Sequence, residues 1–486
     1  MIISKFKMSV LSLSVFFIIG TSGCYNSGTV SENIENKNVV KPNIIFILAD
    51  DLGYADIGVY GQEKITTHHL DQMAKQGTMF TDFYSGSTVC APSRAVLMTG
   101  KHLGHNRIRG NGKNESQMLL PHDFTVAEML KNAGYSTALI GKWGLGDIGS
   151  TGTPDKQGFD HYFGFLNQVH AHNHYPEWLW RNGEKVKLNN IVEPIKRSYT
   201  NFIGGVAKPE NRKDYAGDLF LNESIEYIEK QSKASNPFFL YLAVTTPHAN
   251  NEADMVDWAH GMEVPNYDKY ADTSWPEAQK GYAAMVDHLD KSVGTILSKL
   301  RELNIDDNTI VIFTSDNGPH AEAGNIPEYF DSNGKYRGIK RDLYDGGIRV
   351  PMIVWGPGLI AENKVTEHIS YFGDFMATAA EFAGVAVPEN TDSVSFLPSI
   401  VKENKEQKQH DHLYWEFYEH GSRQAIRKDN WKAVRQPMFT GNIELYDLTT
   451  DAEENIDVSS QHPELVKEFE LLFTAAHVND PAWKIK

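Results

Sequence analysis

The sequence predicts an α/β protein built on a large mixed sheet sandwiched by helices, with a smaller α+β subdomain at the C-terminus. The length of 486 residues exceeds the usual size of one domain. Hydrophobic residues make up 41% of the chain, which suits a sizeable core. After residue 41, apolar strand patterns alternate with amphipathic helical patterns, as in layered α/β proteins. The net charge of −17 argues against a nucleic-acid partner, because phosphate neutralisation needs an excess of Lys and Arg.

The chain begins with a pattern typical of a secretory leader. Two lysines precede an apolar run, Met8 to Gly20, that is too short to span a bilayer. Small residues then lead to Cys24, which resembles a bacterial lipoprotein signal. We therefore predict a signal peptide over 1–23, a lipid anchor at Cys24 and a flexible tether over 24–41. The protein is then exported and held in the periplasm or outer membrane. The alternative is a plain cleaved signal with an incidental cysteine.

The strands of the predicted sheet are short, nearly continuous apolar runs. Such runs suit strands that are buried on both faces of a parallel or mixed sheet. They are Asn43–Ala49, Ser136–Ile140, Phe238–Thr246, Thr309–Thr314 and Met352–Trp355. Apolar residues at three- and four-residue spacings predict helices over Asp214–Gln231 and Glu277–Leu303. The segment Ser150–Lys213 shows no clear period, so we expect a long irregular loop with a functional role.

The C-terminal part has a different pattern. Short strands are predicted over Gln424–Arg427, Trp431–Val434 and Ile443–Tyr446, followed by a helix over Pro463–Ala475. We therefore divide the mature chain into a main domain over 42–404 and an α+β subdomain over 405–486.

Oxygen-bearing side chains follow two of the predicted strands. Asp50 and Asp51 end the first strand, and Asp316 and Asn317 end the strand that begins at Thr309. Ligands of open α/β sheets bind at the carboxyl ends of the strands, so the two pairs are expected to meet there. Three carboxylates and one amide oxygen suit Ca²⁺ or Mg²⁺. Taken singly, either pair would be read as a turn or a helix start.

The segment around Cys90 carries a family resemblance. Residues 87–100 read Ser-Thr-Val-Cys-Ala-Pro-Ser-Arg-Ala-Val-Leu-Met-Thr-Gly. This resembles the Cys-x-Pro-Ser-Arg signature of the formylglycine-dependent sulfatases of the alkaline phosphatase superfamily. Further elements appear in the family's order: Asp50-Asp51, Gly141 to Gly146 (GKWGLG), Pro247-His248, Asp316 to His320 (DNGPH) and Gly338 to Pro351.

The resemblance implies a mechanism and a set of site residues. A maturation enzyme would oxidise Cys90 to Cα-formylglycine, whose hydrated aldehyde attacks the sulfur of a sulfate ester. The residues implied as metal ligands are Asp50, Asp51, Asp316, Asn317 and the modified Cys90, with Ca²⁺ as the expected ion and Mg²⁺ as the alternative. Arg94, Lys142 and Lys340 would stabilise the sulfate oxygens. His248 is the expected general acid for the leaving alcohol.

One position departs from the family pattern. Many arylsulfatases have His directly after Lys-Trp, whereas this chain has Gly144. The candidates to replace that imidazole are His170, His172, His174 and His320. We also assign His170, His172, His320 and Trp178 to substrate binding; the alternatives are a solvated loop for the clustered histidines and a loop-anchoring core for the aromatic residues.

The expected activity is therefore hydrolysis of sulfate esters on an extracellular glycan. A phosphonate or phosphate monoester hydrolase of the same superfamily is the alternative among enzymes. A surface lipoprotein that binds glycans through a catalytically dead fold is the alternative from another class, and the complete set of expected ligands argues against it.

Overall fold

The structure is a computed structural model, and it describes residues 41–111, 117–196, 203–403, 405–419 and 421–485. The predicted signal peptide and the lipidation site at Cys24 lie outside these residues. The strands are β1 Asn43–Ala49, β2 Gly77–Phe80, β3 Phe83–Tyr84, β4 Ser136–Lys142, β5 His161–Phe165, β6 Trp178–Arg181, β7 Glu184–Lys187, β8 Val192–Lys196, β9 Ile203–Ala207, β10 Phe238–Ala243, β11 Thr309–Ser315, β12 Met352–Trp355, β13 Lys364–Thr366, β14 Ser370–Tyr371, β15 Leu413–Phe417, β16 Arg423–Lys428, β17 Trp431–Arg435 and β18 Ile443–Asp447. The helices are α1 His68–Lys75, α2 Cys90–Thr99, α3 Val126–Asn132, α4 Ala216–Gln231, α5 Glu277–Glu302, α6 Pro327–Phe330, α7 Asp345–Ile348, α8 Asp374–Ala383, α9 Leu397–Ile400 and α10 Pro463–Ala476.

The main sheet is mixed and holds its parallel strands at the centre. Within the described ranges its order is β13-β2-β12-β11-β1-β10-β4-β5-β6-β7. Strands β11, β1, β10, β4 and β5 run parallel, and β12 and β6 pair antiparallel at either side. The carboxyl ends of β11, β1, β10 and β4 therefore meet at one edge, which is where open α/β sheets bind their ligands.

Both faces of this sheet are buried because alternate residues of each strand pack into different cores. In β1, Phe46 and Leu48 face the core that includes residues of α2, α3 and α8. Ile45 and Ile47 face the core that includes residues of α1, α4 and α5. The near-continuous apolar runs of the sequence follow directly from this burial on two sides.

Close backbone contact between the central strands depends on glycine. Gly141 in β4 has a φ of 108°, and a Cβ at this position would lie 1.9 Å from the carbonyl oxygen of Ala243 in β10. A Cβ at Gly164 in β5 would lie 2.0 Å from the carbonyl oxygen of Gly141. Glycine at these positions lets three strands converge just before Lys142.

The segment Ser150–Lys213, expected to be irregular, contains five strands, so that expectation is wrong. Strands β5, β6 and β7 extend the main sheet, and β8 pairs with β9 in a separate antiparallel ribbon. These strands are four or five residues long, and each contains polar residues or glycine. Their stability comes from pairing with neighbouring strands, in the main sheet for β5 to β7 and with each other for β8 and β9, and not from an apolar period of their own.

The C-terminal subdomain is an antiparallel sheet with the order β15-β16-β17-β18, covered on one face by α10. Trp415 and Phe417 on its other face pack into the core that lies between the main sheet and helices α2, α3 and α8. This confirms the predicted fold class, including the change to α+β structure near the C-terminus. None of the helices in the part of the chain that the structure describes is long and apolar enough to cross a bilayer.

Candidate active site

The carboxyl edge of the central strands brings together the residues that the sequence singled out. Asp50 and Asp51 follow β1, Asp316 follows β11, and the loop after β10 carries His248. The backbone N–H of Asp50 donates to the Thr246 carbonyl at 3.1 Å, which joins the first and third of these loops directly. Asp51 has a φ of 65°, a left-handed conformation that Asp tolerates better than most residues.

The acidic residues form one buried cluster. Asp50, Asp51, Asp316 and Asn317 are each fully buried. The Asn317 side-chain amide donates to Asp51 Oδ1 at 2.7 Å, and the backbone N–H of Asp51 donates to Asp316 Oδ1 at 3.1 Å. The two oxygen-rich pairs, separated by more than 260 residues in sequence, thus share hydrogen bonds in the fold.

Cys90 is the first residue of helix α2 and faces this cluster. Its Sγ lies 3.3 Å from Asp50 Oδ1 and 3.9 Å from Asp51 Oδ1. Burial and the neighbouring charge of Asp50 raise the pKa of the Cys90 thiol well above its ordinary value. The helix ends at Gly100 in a left-handed conformation, and its positive N-terminal end is directed to the site.

Arg94, one turn along the same helix, binds the acidic cluster. Its Nε and Nη2 donate to Asp316 Oδ2 at 3.0 and 2.8 Å, and Nη2 lies 3.5 Å from Asp50 Oδ2. Its Nη1 donates to the Lys142 carbonyl at 2.5 Å. The guanidinium therefore fixes one expected metal ligand and the end of β4 at the same time.

Two lysines complete the charge balance. Lys142 Nζ donates to Asp50 Oδ2 at 2.7 Å, and Lys340 Nζ donates to Asp51 Oδ2 at 2.7 Å. Both lysines are buried. Burial would raise the pKa of Asp50, but the charges of Lys142 and Arg94 outweigh it and hold that pKa well below its ordinary value.

His248 lies against Lys340 and Asp51. Its Nδ1 is 2.6 Å from the Ala249 carbonyl oxygen, so this nitrogen carries the proton and Nε2 is unprotonated in this arrangement. Nε2 lies 3.3 Å from Lys340 Nζ and 3.4 Å from Asp51 Oδ2. The structure thus directs the atom expected to exchange a proton into the centre of the cluster.

The donor set fits a hard divalent cation. One ligand atom each from Asp50, Asp51, Cys90 and His248 lies within 4.8 Å of the others. The buried Asn317 Oδ1 has no hydrogen-bond partner among the described residues, as expected for an oxygen reserved for a metal ion. Burial raises the pKa of Asp316 to about 7, and the charges of Asp50 and Asp51 add to the effect. A bound cation would relieve this repulsion.

The other histidines of the sequence analysis separate into two groups. The rings of His172 and His320 stack on His248, with centroids 5.1 and 5.9 Å away. His172 Nδ1 lies 3.1 Å from the buried Glu252 Oε2. His170 instead packs on Trp178, with ring centroids 4.1 Å apart.

Trp178 is the first residue of β6, next to the edge strand β7. Besides His170, it contacts Trp180 with ring centroids 5.0 Å apart, and Lys185 Nζ lies 4.1 Å from its centroid. The structure therefore places His170 and Trp178 in an aromatic cluster at the start of β6, and not beside Cys90. Their role in substrate binding stays a prediction.

Gly144, the departure from the family pattern, has a φ of 78°. A Cβ there would lie 2.4 Å from Gln168 Nε2, so the side-chain amide of Gln168 occupies the space over this residue. A histidine at position 144 would need the Gln168 side chain to move. His174 is also close to the site, since its Nε2 lies 2.8 Å from the His248 carbonyl oxygen.

Sequence reasoning missed several groups around this site. Glu322 contacts Lys340, Glu252 contacts His172, and Asn111 accepts a hydrogen bond from the Ala91 N–H at the start of α2. None of them belongs to a recognisable motif. The one usable signal was the position of Glu322 two residues after His320, in a loop already assigned to the site.

Comparisons with known proteins agree with this geometry. A family model described as Sulfatase matches residues 42–385, and one described as N-sulphoglucosamine sulphohydrolase, C-terminal, matches residues 335–476. The N-acetylgalactosamine-6-O-sulfatase of Bacteroides thetaiotaomicron is 31% identical, with 92% of this chain and 94% of the relative covered. The N-acetylgalactosamine-6-sulfatase of Canis lupus familiaris is 33% identical over 74% of this chain, and the match spans 66% of that relative's length.

Solved structures give the same result at the level of the fold. The crystal structure of Ps i-CgsB in complex with k-i-k-neocarrahexaose superposes with a TM-score of 0.74 and 28% identity, covering 92% of this chain and 95% of that one. The family match spans the main sheet and includes the Cys90 segment and both acidic pairs, which the fold brings into contact. Sequence, site geometry and fold thus agree, and the chain belongs to the sulfatase family.

Proposed function

We propose that this protein hydrolyses sulfate esters on a sulfated carbohydrate, with residue 90 acting as Cα-formylglycine beside a divalent metal ion. The observation that carries the proposal is the position of Cys90. Its Sγ is at the positive end of α2, 3.3 Å from Asp50, within a cluster that also holds Arg94, Lys142 and Lys340. Such an arrangement combines a nucleophile position with cations that stabilise a sulfate group in the transition state.

Each protein group has a separate task in this proposal. Asp50, Asp51, Asp316 and Asn317 hold the metal, for which Ca²⁺ is the expected ion and Mg²⁺ the alternative. The metal supplies a positive charge that polarises the sulfate group. A hydrated aldehyde at residue 90 supplies a hydroxyl nucleophile. Arg94 keeps Asp316 in place through two hydrogen bonds, and Lys142 and Lys340 hold sulfate oxygens.

When its ring is protonated on both nitrogens, His248 donates the Nε2 proton to the departing sugar oxygen and returns to the neutral Nδ1–H form. Burial and the charge of Lys340 lower the pKa of His248 well below its ordinary value, so the protonated ring is a strong acid. The bond from Nδ1 to the Ala249 carbonyl fixes the orientation of the ring, so Nε2 is the atom that faces the reacting group. The stacked rings of His172 and His320 limit the movement of the imidazole. These two histidines also lie where the sugar is expected to bind.

The proposed substrate class is a sulfated glycan with galactose-type units. Two relatives are named N-acetylgalactosamine-6-sulfatases, and the structural neighbour Ps i-CgsB was solved with k-i-k-neocarrahexaose. His170, His172, His320 and Trp178 remain the residues assigned to sugar contacts. His172 and His320 lie beside His248, whereas His170 lies against Trp178 at the start of β6. Two separate groups of sugar-binding residues suit a substrate longer than one sugar.

Export and maturation complete the proposal. The leader ending in Cys24 supports a lipid anchor in the periplasm or outer membrane, where polymeric glycans are accessible. A formylglycine-generating enzyme would modify Cys90. Partition of the protein into a detergent phase, lost in a Cys24→Ser variant, tests the anchor; partition of both proteins into the aqueous phase would disprove it.

Release of sulfate from a panel of sulfated mono- and oligosaccharides tests the activity. We expect sulfate release that stops after exhaustive chelation and returns with Ca²⁺ or Mg²⁺. Matched aryl sulfate and aryl phosphate esters distinguish a sulfatase from a phosphate or phosphonate monoester hydrolase, and the proposal predicts higher kcat/KM for the sulfate. Preference for the phosphate ester, or full activity without bound metal, would contradict it. Glycan binding without turnover of any ester would favour the dead-enzyme alternative.

A further inference from the structure

The carboxylate of Glu322 contacts two cations at the outer side of the cluster. Its Oε2 accepts a hydrogen bond from Lys340 Nζ at 3.2 Å, and its Oε1 lies 2.6 Å from Arg341 Nη1. The backbone N–H of Glu322 donates to His320 Nδ1 at 3.2 Å, which fixes this loop beside the site. Glu322 belongs neither to the proposed metal ligands nor to the groups proposed to hold sulfate.

All three N–H donors of the Lys340 ammonium group are engaged in this arrangement. An ammonium group carries three N–H donors. The three are directed to Asp51 Oδ2 at 2.7 Å, Glu322 Oε2 at 3.2 Å and His248 Nε2 at 3.3 Å. If Lys340 holds a sulfate oxygen, it must release one of these partners.

Of the three partners of Lys340, Glu322 is the one that a sulfate oxygen can replace. The side chains of Asp51 and His248 are 0% and 3% exposed, whereas that of Glu322 is 13% exposed. Asp51 is a proposed metal ligand and His248 keeps a second bond to Ala249. Glu322 also has Arg341 as an alternative partner, and the Arg341 side chain is 33% exposed.

Glu322 is charged in this position. Burial would raise its pKa, but the charges of Lys340 and Arg341 outweigh this and hold the pKa well below its ordinary value. The side chains Asp51, Lys340, Glu322 and Arg341 thus form a row of alternating charges that leads from the buried cluster to the surface.

We propose that Glu322 is a positioning residue that competes with sulfate for Lys340. Without a ligand it holds the ammonium in place, and when a sulfate group binds it yields Lys340 and keeps Arg341. The competition weakens the affinity for free sulfate and so favours release of the product. This inference rests on the proposed function, because it takes sulfate as the ligand of Lys340.

The test is competitive inhibition of the mature, metal-loaded enzyme by inorganic sulfate. Glu322→Gln removes the charge at nearly constant shape, and the inhibition constant for sulfate should fall by about 10-fold, the order expected for one charged hydrogen bond. Glu419→Gln is the matched control, since Glu419 lies 3.8 Å from Arg341 Nε and does not contact Lys340 in the described structure. Its inhibition constant should stay within about twofold of the wild type. An unchanged or higher constant in Glu322→Gln would overturn the proposal.

A second measurement separates this role from a merely structural one. The rise in Tm that sulfate causes should increase in Glu322→Gln and, less strongly, in Glu322→Asp, whose shorter side chain keeps the charge. In a Lys340→Met background the effect of Glu322→Gln should disappear. If the wild type hydrolyses no sulfate ester, the proposed function fails, whereas the Tm shifts still decide whether Glu322 competes with sulfate. Equal sulfate-induced rises in Tm in the wild type, Glu322→Gln and Glu322→Asp would disprove the competition between Glu322 and sulfate.

Discussion

At the scale of single residues, replacing His248 distinguishes a role in proton transfer from a role in sulfate binding. A sugar hydroxyl is a poor leaving group and needs a proton, whereas a nitrophenolate leaves without one. His248→Ala should therefore reduce kcat/KM roughly 10²–10⁴-fold on a sulfated sugar and much less on an aryl sulfate. His122→Ala, which removes an exposed histidine, is the control and should leave both values unchanged. Equal losses on both substrates would assign His248 to binding, and His320 would be tested next.

The residues of the site differ in how far the sequence could predict them. Cys90, Arg94 and the acidic pairs were predictable because a motif or a strand end marks them. Glu322 and Gln168 were not, since their roles depend on which side chains lie within a few ångströms after folding. His170 and Trp178 contact each other and not Cys90, since Trp178 lies on β6, which β5 separates from β4.

At the scale of secondary-structure elements, the approach of β4 to β10 sets the position of Lys142. Gly141→Ala would place a methyl group against the Ala243 carbonyl, whereas Gly149 has a similar φ of 86° and open space where a methyl group would lie. Gly149→Ala should cost about 1 kcal/mol from the left-handed conformation alone. Gly141→Ala should cost about 1–3 kcal/mol more from overpacking. Urea unfolding measures both values, and equal losses would contradict the close contact.

Helix α7 is joined to the C-terminal sheet by a buried ionic group. Lys432 Nζ in β17 donates to Asp345 Oδ1 at 2.7 Å and to Glu454 Oε1 at 3.2 Å. Lys432→Met removes the cation that these two buried carboxylates share, and we expect a loss of about 3–5 kcal/mol in the free energy of unfolding. Lys428→Met in the neighbouring strand breaks only the partly exposed pair with Glu468, so it should cost no more than about 1 kcal/mol. A loss in the free energy of unfolding for Lys432→Met that is no larger than about 1 kcal/mol, the limit expected for Lys428→Met, would show that the buried ionic group adds little stability.

Five adjacent strands of the main sheet could be predicted because burial on both faces leaves a nearly continuous apolar run: β12, β11, β1, β10 and β4. Strands β5 to β9 could not, since each is only four or five residues long and contains polar residues or glycine instead of a continuous apolar run. β2 and β15 were missed for a related reason. β2 is four residues long, and Leu413 to Phe417 includes the buried Glu416, whose partner Arg109 lies more than 300 residues away.

At the scale of the whole molecule, the C-terminal sheet is part of the same packed body as the main sheet. Trp415 and Phe417 share a core with Phe46 of β1, and Trp415 Nε1 donates to the Ser85 carbonyl at 2.9 Å. We therefore expect calorimetry to show one cooperative unfolding transition for the metal-loaded protein. Two well-separated transitions would instead support independent folding on either side of the boundary predicted at residue 404.

The central claim concerns the chemical state of residue 90, and the mass of the tryptic peptide that contains it tests this claim most directly. In protein that hydrolyses sulfate esters, residue 90 should appear as an aldehyde, with oxygen in place of H₂S. It should not appear as a sulfenic, sulfinic or sulfonic acid, the ordinary products of cysteine oxidation. The aldehyde fraction should rise in proportion to specific activity across preparations. A fully active preparation in which residue 90 is only an unmodified thiol would contradict the proposed mechanism.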